Sequence, residues 1–259
     1  EAATLDDEPT VQADLYATLG DIYRKLGEFP AADSLLTLAL DRRTALLATD
    51  APDRLESMLA LVLLRLDQAE YHAAADLARK ILTLAQRQDA LRARAHTALG
   101  AALQQQGDYD ASIAELERAV ALHERRPDGT DDLAAALNEL SNSHFYAGRF
   151  AAADSLSRRS LALTQALRGA EHPLVANDLI NLGAVQFEWG RHDEAEALYR
   201  QALAITEGWY GPDHPRTAST LTGLARVLVR MERLDEAEAL LRRAMEIQER
   251  TYGPVHPRV

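Results

Sequence analysis

The chain has 259 residues, 47% of them hydrophobic, 26% charged and only 5% aromatic, which allows one or two domains around an aliphatic core. It has no cysteine, which excludes a disulfide scaffold, a cysteine-based zinc site and a cysteine nucleophile. With 28 basic and 40 acidic residues the net charge is −12, a field that disfavours nucleic acid and anionic membrane surfaces and favours cationic partners.

Lys25 and Lys80 are the only lysines, and the usage rich in Arg and Ala fits a bacterial gene. No apolar run nears the ~18 residues that span a membrane, and no signal-peptide pattern occurs. A soluble domain of the bacterial cytoplasm is the expectation, with the extracytoplasmic side of a membrane-anchored parent as the other setting. The chain starts at Glu1 and stops at Val259, just after His256-Pro257. We read it as a piece of a longer polypeptide.

In chain order the sequence reads as six units of about 42 residues, approximately 10–50, 52–88, 90–126, 130–170, 172–212 and 214–254, with 255–259 opening a further one. The first carries Leu19-Gly20-Asp21-Ile22-Tyr23, Gly27-Glu28-Phe29 and Ala31-Ala32. The second is reached by adding 42, at Tyr71-His72-Ala73-Ala74, and the third has Leu99-Gly100 with Gly107-Asp108-Tyr109. The fourth has Gly148-Arg149-Phe150-Ala151-Ala152. The fifth and sixth share 20 of 42 positions, among them Asp193 to Leu198 against Asp235 to Leu240. His-Pro recurs at 172–173, 214–215 and 256–257.

Each unit reads as two helices. In the fifth, Leu179, Leu182, Gly183 and Val185 form one stripe, Gly190-Arg191 a turn, and Ala195, Leu198, Tyr199, Ala202 and Leu203 a second stripe. Pro173 and Pro215 suit a first helical turn, and Gly211 and Gly253 a left-handed helix stop. Gly20, Gly100 and Gly183 sit where the paired helices touch. Gly27, Gly107, Gly148 and Gly190 make the turns between them, and Gly129 and Gly169 join units. Gly208 and Gly223 are read as tolerated helix glycines.

The pattern Leu-Gly-x-x-Tyr, Gly-x-Tyr/Phe and spaced alanines resembles the tetratricopeptide repeat (TPR). Ala195 to Ile205 with Tyr210-Gly211-Pro212-Asp213-His214-Pro215 resembles its 42-residue kinesin-light-chain form. Unit 2 departs from the pattern at Val62 and Arg65, and unit 4 at Ser141, His144, Ser157 and Ser160. The segment from Glu8 to Gly27 is similar to the start of the repeat region that follows the kinase domain in bacterial serine/threonine kinases. The resemblance implies an all-α fold: an α-α superhelix of about six helix-turn-helix repeats in a single array.

No P-loop, G-x-G-x-x-G, G-x-S-x-G or H-E-x-x-H occurs, so no catalytic residue, metal or cofactor is assigned. His192-Asp193-Glu194 reads as a polar helix start. His172, His214 and His256 read as repeat-joint residues, and His144 as a hydrogen-bonded core histidine. Acids at Asp6-Asp7-Glu8 and around Asp128 read as helix N-termini, capped by Thr10 and Thr130.

In the superhelix that the resemblance implies, the first helix of each unit lines an inner groove. Helical spacing from the small residue gives the groove-facing positions. They are Asp14, Asp21 and Arg24, then Arg94, Thr97 and Gln104. The later units supply Asn138, Asn142 and Phe145, Ile180, Asn181 and Phe187, and Thr222, Arg226 and Val229. Amide side chains offer donor and acceptor to a peptide backbone, and the two Phe offer anchors. The basic carboxylate clamp of the family is not reproduced, which disfavours a ligand with an acidic C-terminal tail. The expected function is a non-catalytic protein-interaction scaffold that binds a peptide or protein segment in this groove. The alternative is a regulatory or self-association region of a larger bacterial signalling protein such as a kinase, with homo-oligomers formed through solenoid ends. Nucleic acid and membrane insertion are not expected.

Overall fold

The computed structural model describes residues 8–125 and 131–253. Asp6, Asp7, Asp128, Gly129, Thr130 and the His256-Pro257 pair lie outside the described residues. Twelve α-helices and no strand occur among those described. They are α1 (Pro9–Lys25), α2 (Phe29–Leu46), α3 (Pro52–Asp67), α4 (Tyr71–Leu84), α5 (Asp89–Gln105) and α6 (Tyr109–Glu124), followed by α7 (Asp131–Tyr146), α8 (Phe150–Arg168), α9 (Pro173–Glu188), α10 (His192–Tyr210), α11 (Pro215–Arg230) and α12 (Leu234–Tyr252). Odd and even helices pair into six hairpins, so the all-α repeat fold expected from the sequence is the one observed. The chain divides into two compact units between Asp128 and Gly129, one holding α1–α6 and the other α7–α12.

Helix starts follow local chemistry. Pro9, Pro52, Pro173 and Pro215 take the first helical position, where a missing N–H costs nothing. His172 and His214 are the N-caps of α9 and α11, their Nδ1 atoms accepting from the backbone N–H of Leu174 and Arg216 at 3.2 Å. The rings are braced as well. His172 meets Trp209 edge-on at 5.5 Å, and His214 stacks on Tyr210 at 4.7 Å. The Arg191 guanidinium lies 3.5 Å over Trp189. His192-Asp193-Glu194 opens α10, with both acids in the first turn. Thr10 is not a cap: it lies inside α1, whose N-cap is Glu8, because Pro9 starts the helix one residue earlier.

The turn inside each hairpin needs one residue at positive φ. Gly27, Gly107, Gly148 and Gly190 supply it at +80°, +81°, +72° and +80°. In the second and sixth hairpins the same register holds Ala69 and Glu232, at φ +61° and +60°. Gly211 and Gly253 end α10 and α12 at positive φ with ψ near 160°, an extended geometry and not the left-handed helical one expected.

In the first unit Leu36 of α2 packs with Leu61 and Leu64 of α3. Leu59 and Val62 of α3 join Ile81 of α4 and Leu91 and Leu99 of α5 in a larger core. Val62 fills its small-residue register without exposure, and Arg65 turns outward to pair with Asp33 at 2.6 Å. In the second unit Tyr199 of α10 is the pivot. A Cβ on Gly183 would lie 3.0 Å from its Cε2, and one on Gly223 only 2.5 Å from its Cε1. Gly223 is thus required by close approach, contrary to its reading as a tolerated helix glycine.

The serines of the fourth hairpin form a buried polar seam. Ser141 donates to the carbonyl of Ala153 at 2.9 Å and lies 2.6 Å from the Ser157 hydroxyl. Ser160 donates to the Ala134 carbonyl at 3.1 Å. His144 is half-buried near the end of α7. From α9, Asp178 enters the seam at 2% exposure and accepts from Asn138 Nδ2 at 2.5 Å, with the Ser160 hydroxyl 3.5 Å away. Its Oδ2 and the Oδ1 of Asn138 have no hydrogen-bond partner among the described residues.

Three outcomes follow for stability. Ala69→Gly and Glu232→Gly should each raise the unfolding free energy by up to about 1 kcal/mol, because a left-handed non-glycine residue is strained; urea denaturation followed by circular dichroism measures it. Gly223→Ala should cost ~1–3 kcal/mol through overpacking, and adding Tyr199→Leu should give a double variant better than the sum of the two singles. Asp178→Asn should stabilise by ~1–3 kcal/mol, since the new amide can donate to Asn138 Oδ1 and leaves no acceptor stranded; an unchanged or lowered melting temperature would refute it.

Candidate functional site

The first helices of neighbouring hairpins touch one another within each unit: α1 meets α3 and α3 meets α5, and α9 meets α11. In each unit they form a layer, and its side expected from the sequence to line a groove is the candidate site. The two units present different chemistry on it.

In the first unit the expected charged residues are consumed by ion pairs. Arg24 bridges Asp21 at 2.8 Å and Asp67 of the next first helix at 2.6 Å, and Lys25 also reaches Asp21 at 2.7 Å. Burial pushes the Asp21 carboxyl up, but the bonds from Lys25 and Arg24 outweigh it and hold the group below the usual carboxylate range. Arg94 grips Glu56 of α3 with both carboxylate oxygens, at 2.6 and 2.8 Å. Asp14 accepts from Arg43 at 2.6 Å, and the same guanidinium bonds the Asp53 carbonyl and the Ser57 hydroxyl of α3. Thr97 bonds back to the Ala93 carbonyl of its own helix, and Gln104 is buried at 7% exposure.

The second unit keeps more of its inner face available. Asn142 and Asn181 are half-buried, while Asn138 donates its amide to Asp178. Phe145 is half-buried, edge-on to Tyr146 at 5.2 Å and to Phe150 at 6.0 Å. Ile180 lies partly buried against both cores that flank α9. Phe187 is half-buried, with the Arg226 guanidinium 4.8 Å over its ring and His192 5.5 Å away. Arg226 is itself 60% exposed and reaches Glu188 at 3.3 Å. Thr222 and Val229 are exposed, the hydroxyl of Thr222 bonding the Ala218 carbonyl of its own helix. α9 and α11 thus set the amide of Asn181, an aromatic face and the accessible Arg226 guanidinium along neighbouring helices. That set can bond a peptide backbone, bury an apolar side chain and meet an acidic group.

Glu56, Asp67, Asp178 and Glu188, which fix these side chains, were not singled out from sequence. A signal for three of them exists: Arg24 and Asp67 are 43 residues apart, Arg94 and Glu56 are 38, and so are Arg226 and Glu188. An acid one repeat away from an inner-face Arg is the pattern to search for. Among the described residues no group of three or more His, Asp or Glu side chains could hold a metal ion, and no helix is long and apolar enough to cross a membrane.

A search of curated protein sequences found no match. Among solved structures, BtubC (BKLC) from P. vanneervenii matches with TM-score 0.70 and 21% identity, covering 98% of this chain and 95% of that one. A putative kinesin light chain of Podosopora anserina with nearly identical TPR-like repeats matches with TM-score 0.56 and 20% identity over 94% and 97% of the two chains. A Rap protein complexed with competence and sporulation factor matches with TM-score 0.71 and 12% identity, over 92% of this chain and 75% of that one. The structural neighbours therefore include kinesin-light-chain-like TPR proteins. Family models described as tetratricopeptide repeat match residues 12–53 and, in four overlapping segments, 91–163, 132–208, 190–250 and 216–259. On those matches, which cover most of its length, the chain belongs to the tetratricopeptide repeat family.

Proposed function

We propose that this chain is a non-catalytic interaction module that takes an extended peptide or protein segment on the inner face of α7, α9 and α11. The observation that supports this most is the pairing of half-buried Phe187 with accessible Arg226, with half-buried Asn181 on the same helix as Phe187 and half-buried Asn142 on α7. A bound strand places backbone N–H and C=O groups against the amides. It lays an apolar side chain beside Phe187 and offers an acidic group to Arg226. The structurally similar Rap protein was solved in complex with competence and sporulation factor, which supports reading this fold as one that serves recognition.

The inner face of the first unit is the poorer candidate. Its guanidiniums hold carboxylates at 2.6 Å and are at most 35% exposed, against 3.3 Å and 60% for Arg226 with Glu188, so a ligand would have to displace Asp67 from Arg24 or Glu56 from Arg94. Asn138 positions Asp178 and is assigned to packing more than to capture.

Peptides selected from a displayed random library against the whole chain provide the test. Phe187→Ala and Asn142→Ala should each weaken the selected peptides, Phe187→Ala by roughly 30-fold if the ring is an anchor worth about 2 kcal/mol. Arg24→Ala should leave their affinity unchanged. Fluorescence anisotropy reads the three affinities. Peptides indifferent to Phe187 and Asn142 would overturn the assignment.

A further inference from the structure

The first and last helices of the described residues each carry an apolar stripe in a register that is buried elsewhere. Leu15 and Ile22 of α1 are 39% and 47% exposed. Their equivalents are Ser57 and Leu64 in α3, Ala95 and Ala102 in α5, and Thr220 and Val227 in α11, none more than 1% exposed. Those side chains are covered because each of these helices lies against the second helix of the preceding hairpin. Leu26, 70% exposed, extends the α1 stripe by another turn.

At α12 the complementary surface is open. Leu241 is 43% exposed, whereas Leu36 of α2, Ala78 of α4 and Tyr199 of α10, at the same register, are 5% exposed or less. With Val229, Leu234, Ala237 and Met245, Leu241 lines a groove of about 560 Å³. This is the register of Phe29, Ala32, Leu36 and Leu40 on α2, the surface that receives α3.

We propose that copies of this chain associate head to tail, α1 of one copy seating on α12 of another in the register in which α11 seats on α10. Each copy carries both halves of one repeat junction, so a second copy offers the apolar helix that the α12 groove fits. The charges agree with this register. At the α9–α11 step, Arg226 pairs with Glu188. The equivalent residues across the stacked junction are Asp21 and Arg230, with the signs exchanged and still opposite. Glu28 comes opposite Glu238, a like-charged pair whose repulsion is offset by Arg242, 70% exposed and 2.5 Å from Glu238. Arg200, its equivalent in α10, holds Glu196 at 2.7 Å and reaches Glu236 of α12 at 3.6 Å, an acid whose counterpart across the stacked junction is Ala31.

The contact is heterologous, so each added copy leaves a half-junction open for the next, and mass should climb with concentration beyond a dimer. Sedimentation equilibrium on the 259-residue chain tests it. Ile22→Glu and Leu241→Glu, each keeping a good helix former, should each hold the chain as a monomer, with unchanged helicity by circular dichroism. Mixed one to one, the two variants should recover a dimer and grow no further, because each retains the half-junction the other lacks. Should either variant lose helicity, Leu26→Glu and Leu234→Glu, at the most exposed positions of the two stripes, replace them. A strictly monomeric wild type overturns the proposal, whether the chain's own flanking residues or another partner cover these faces. Self-association abolished by Leu241→Glu but untouched by Ile22→Glu, or no recovery on mixing, overturns it in favour of contact between like ends or none.

Discussion

One constraint governs this molecule: a hairpin of two amphipathic helices has two apolar sides, and its own partner helix covers only one of them. The second side must be covered by the hairpin next to it. Leu36 meets Leu61 and Leu64 across such a step, and Tyr199 fills the space between Gly183 and Gly223 across another. Because every step is between neighbours, the 42-residue spacing is a packing distance written into sequence. The guanidiniums repeat it at the surface, where Arg24, Arg94 and Arg226 each find an acid 38 to 43 residues away. Such pairs are partly exposed and modest in energy singly, and they add direction to contacts that the apolar side chains drive.

Most of the fold was legible in the sequence, because the features that set it are local and periodic. Pro173 and Pro215 mark helix starts whatever surrounds them, and the turn glycines mark a backbone angle that other residues adopt under strain. Ala69 and Glu232 were equally legible by register, as they stand 42 residues after Gly27 and Gly190. The role of Gly223 was not, since it depends on the bulk of Tyr199 one hairpin earlier. The serine seam of the fourth hairpin looked like a departure from the repeat pattern. Its satisfaction depends on backbone carbonyls of Ala134 and Ala153, which no side-chain pattern reports.

The candidate site was legible in placement and much less so in chemistry. Helical spacing put Asp21, Arg24, Arg94, Phe187 and Arg226 on first helices. It could not say that the first two arginines would be occupied by Asp67 and Glu56 while Arg226 would lie over Phe187. Those outcomes are set by which residue the neighbouring helix brings within reach. The inner face of the first unit is therefore stitched, and that of the second unit, with its amides and aromatic ring, is the more receptive.

The indoles have a practical bearing. Trp189 and Trp209 are the only tryptophans, and both belong to the fifth hairpin, one beneath Arg191 and the other against His172. Tryptophan emission, excited beyond the absorption of Tyr16, Tyr23, Tyr71 and Tyr109 of α1–α6, is thus a local optical signal from α7–α12. Melting confined to α1–α6 would leave it dark to that light while far-ultraviolet ellipticity fell, so the two spectroscopies together report which half gives way first.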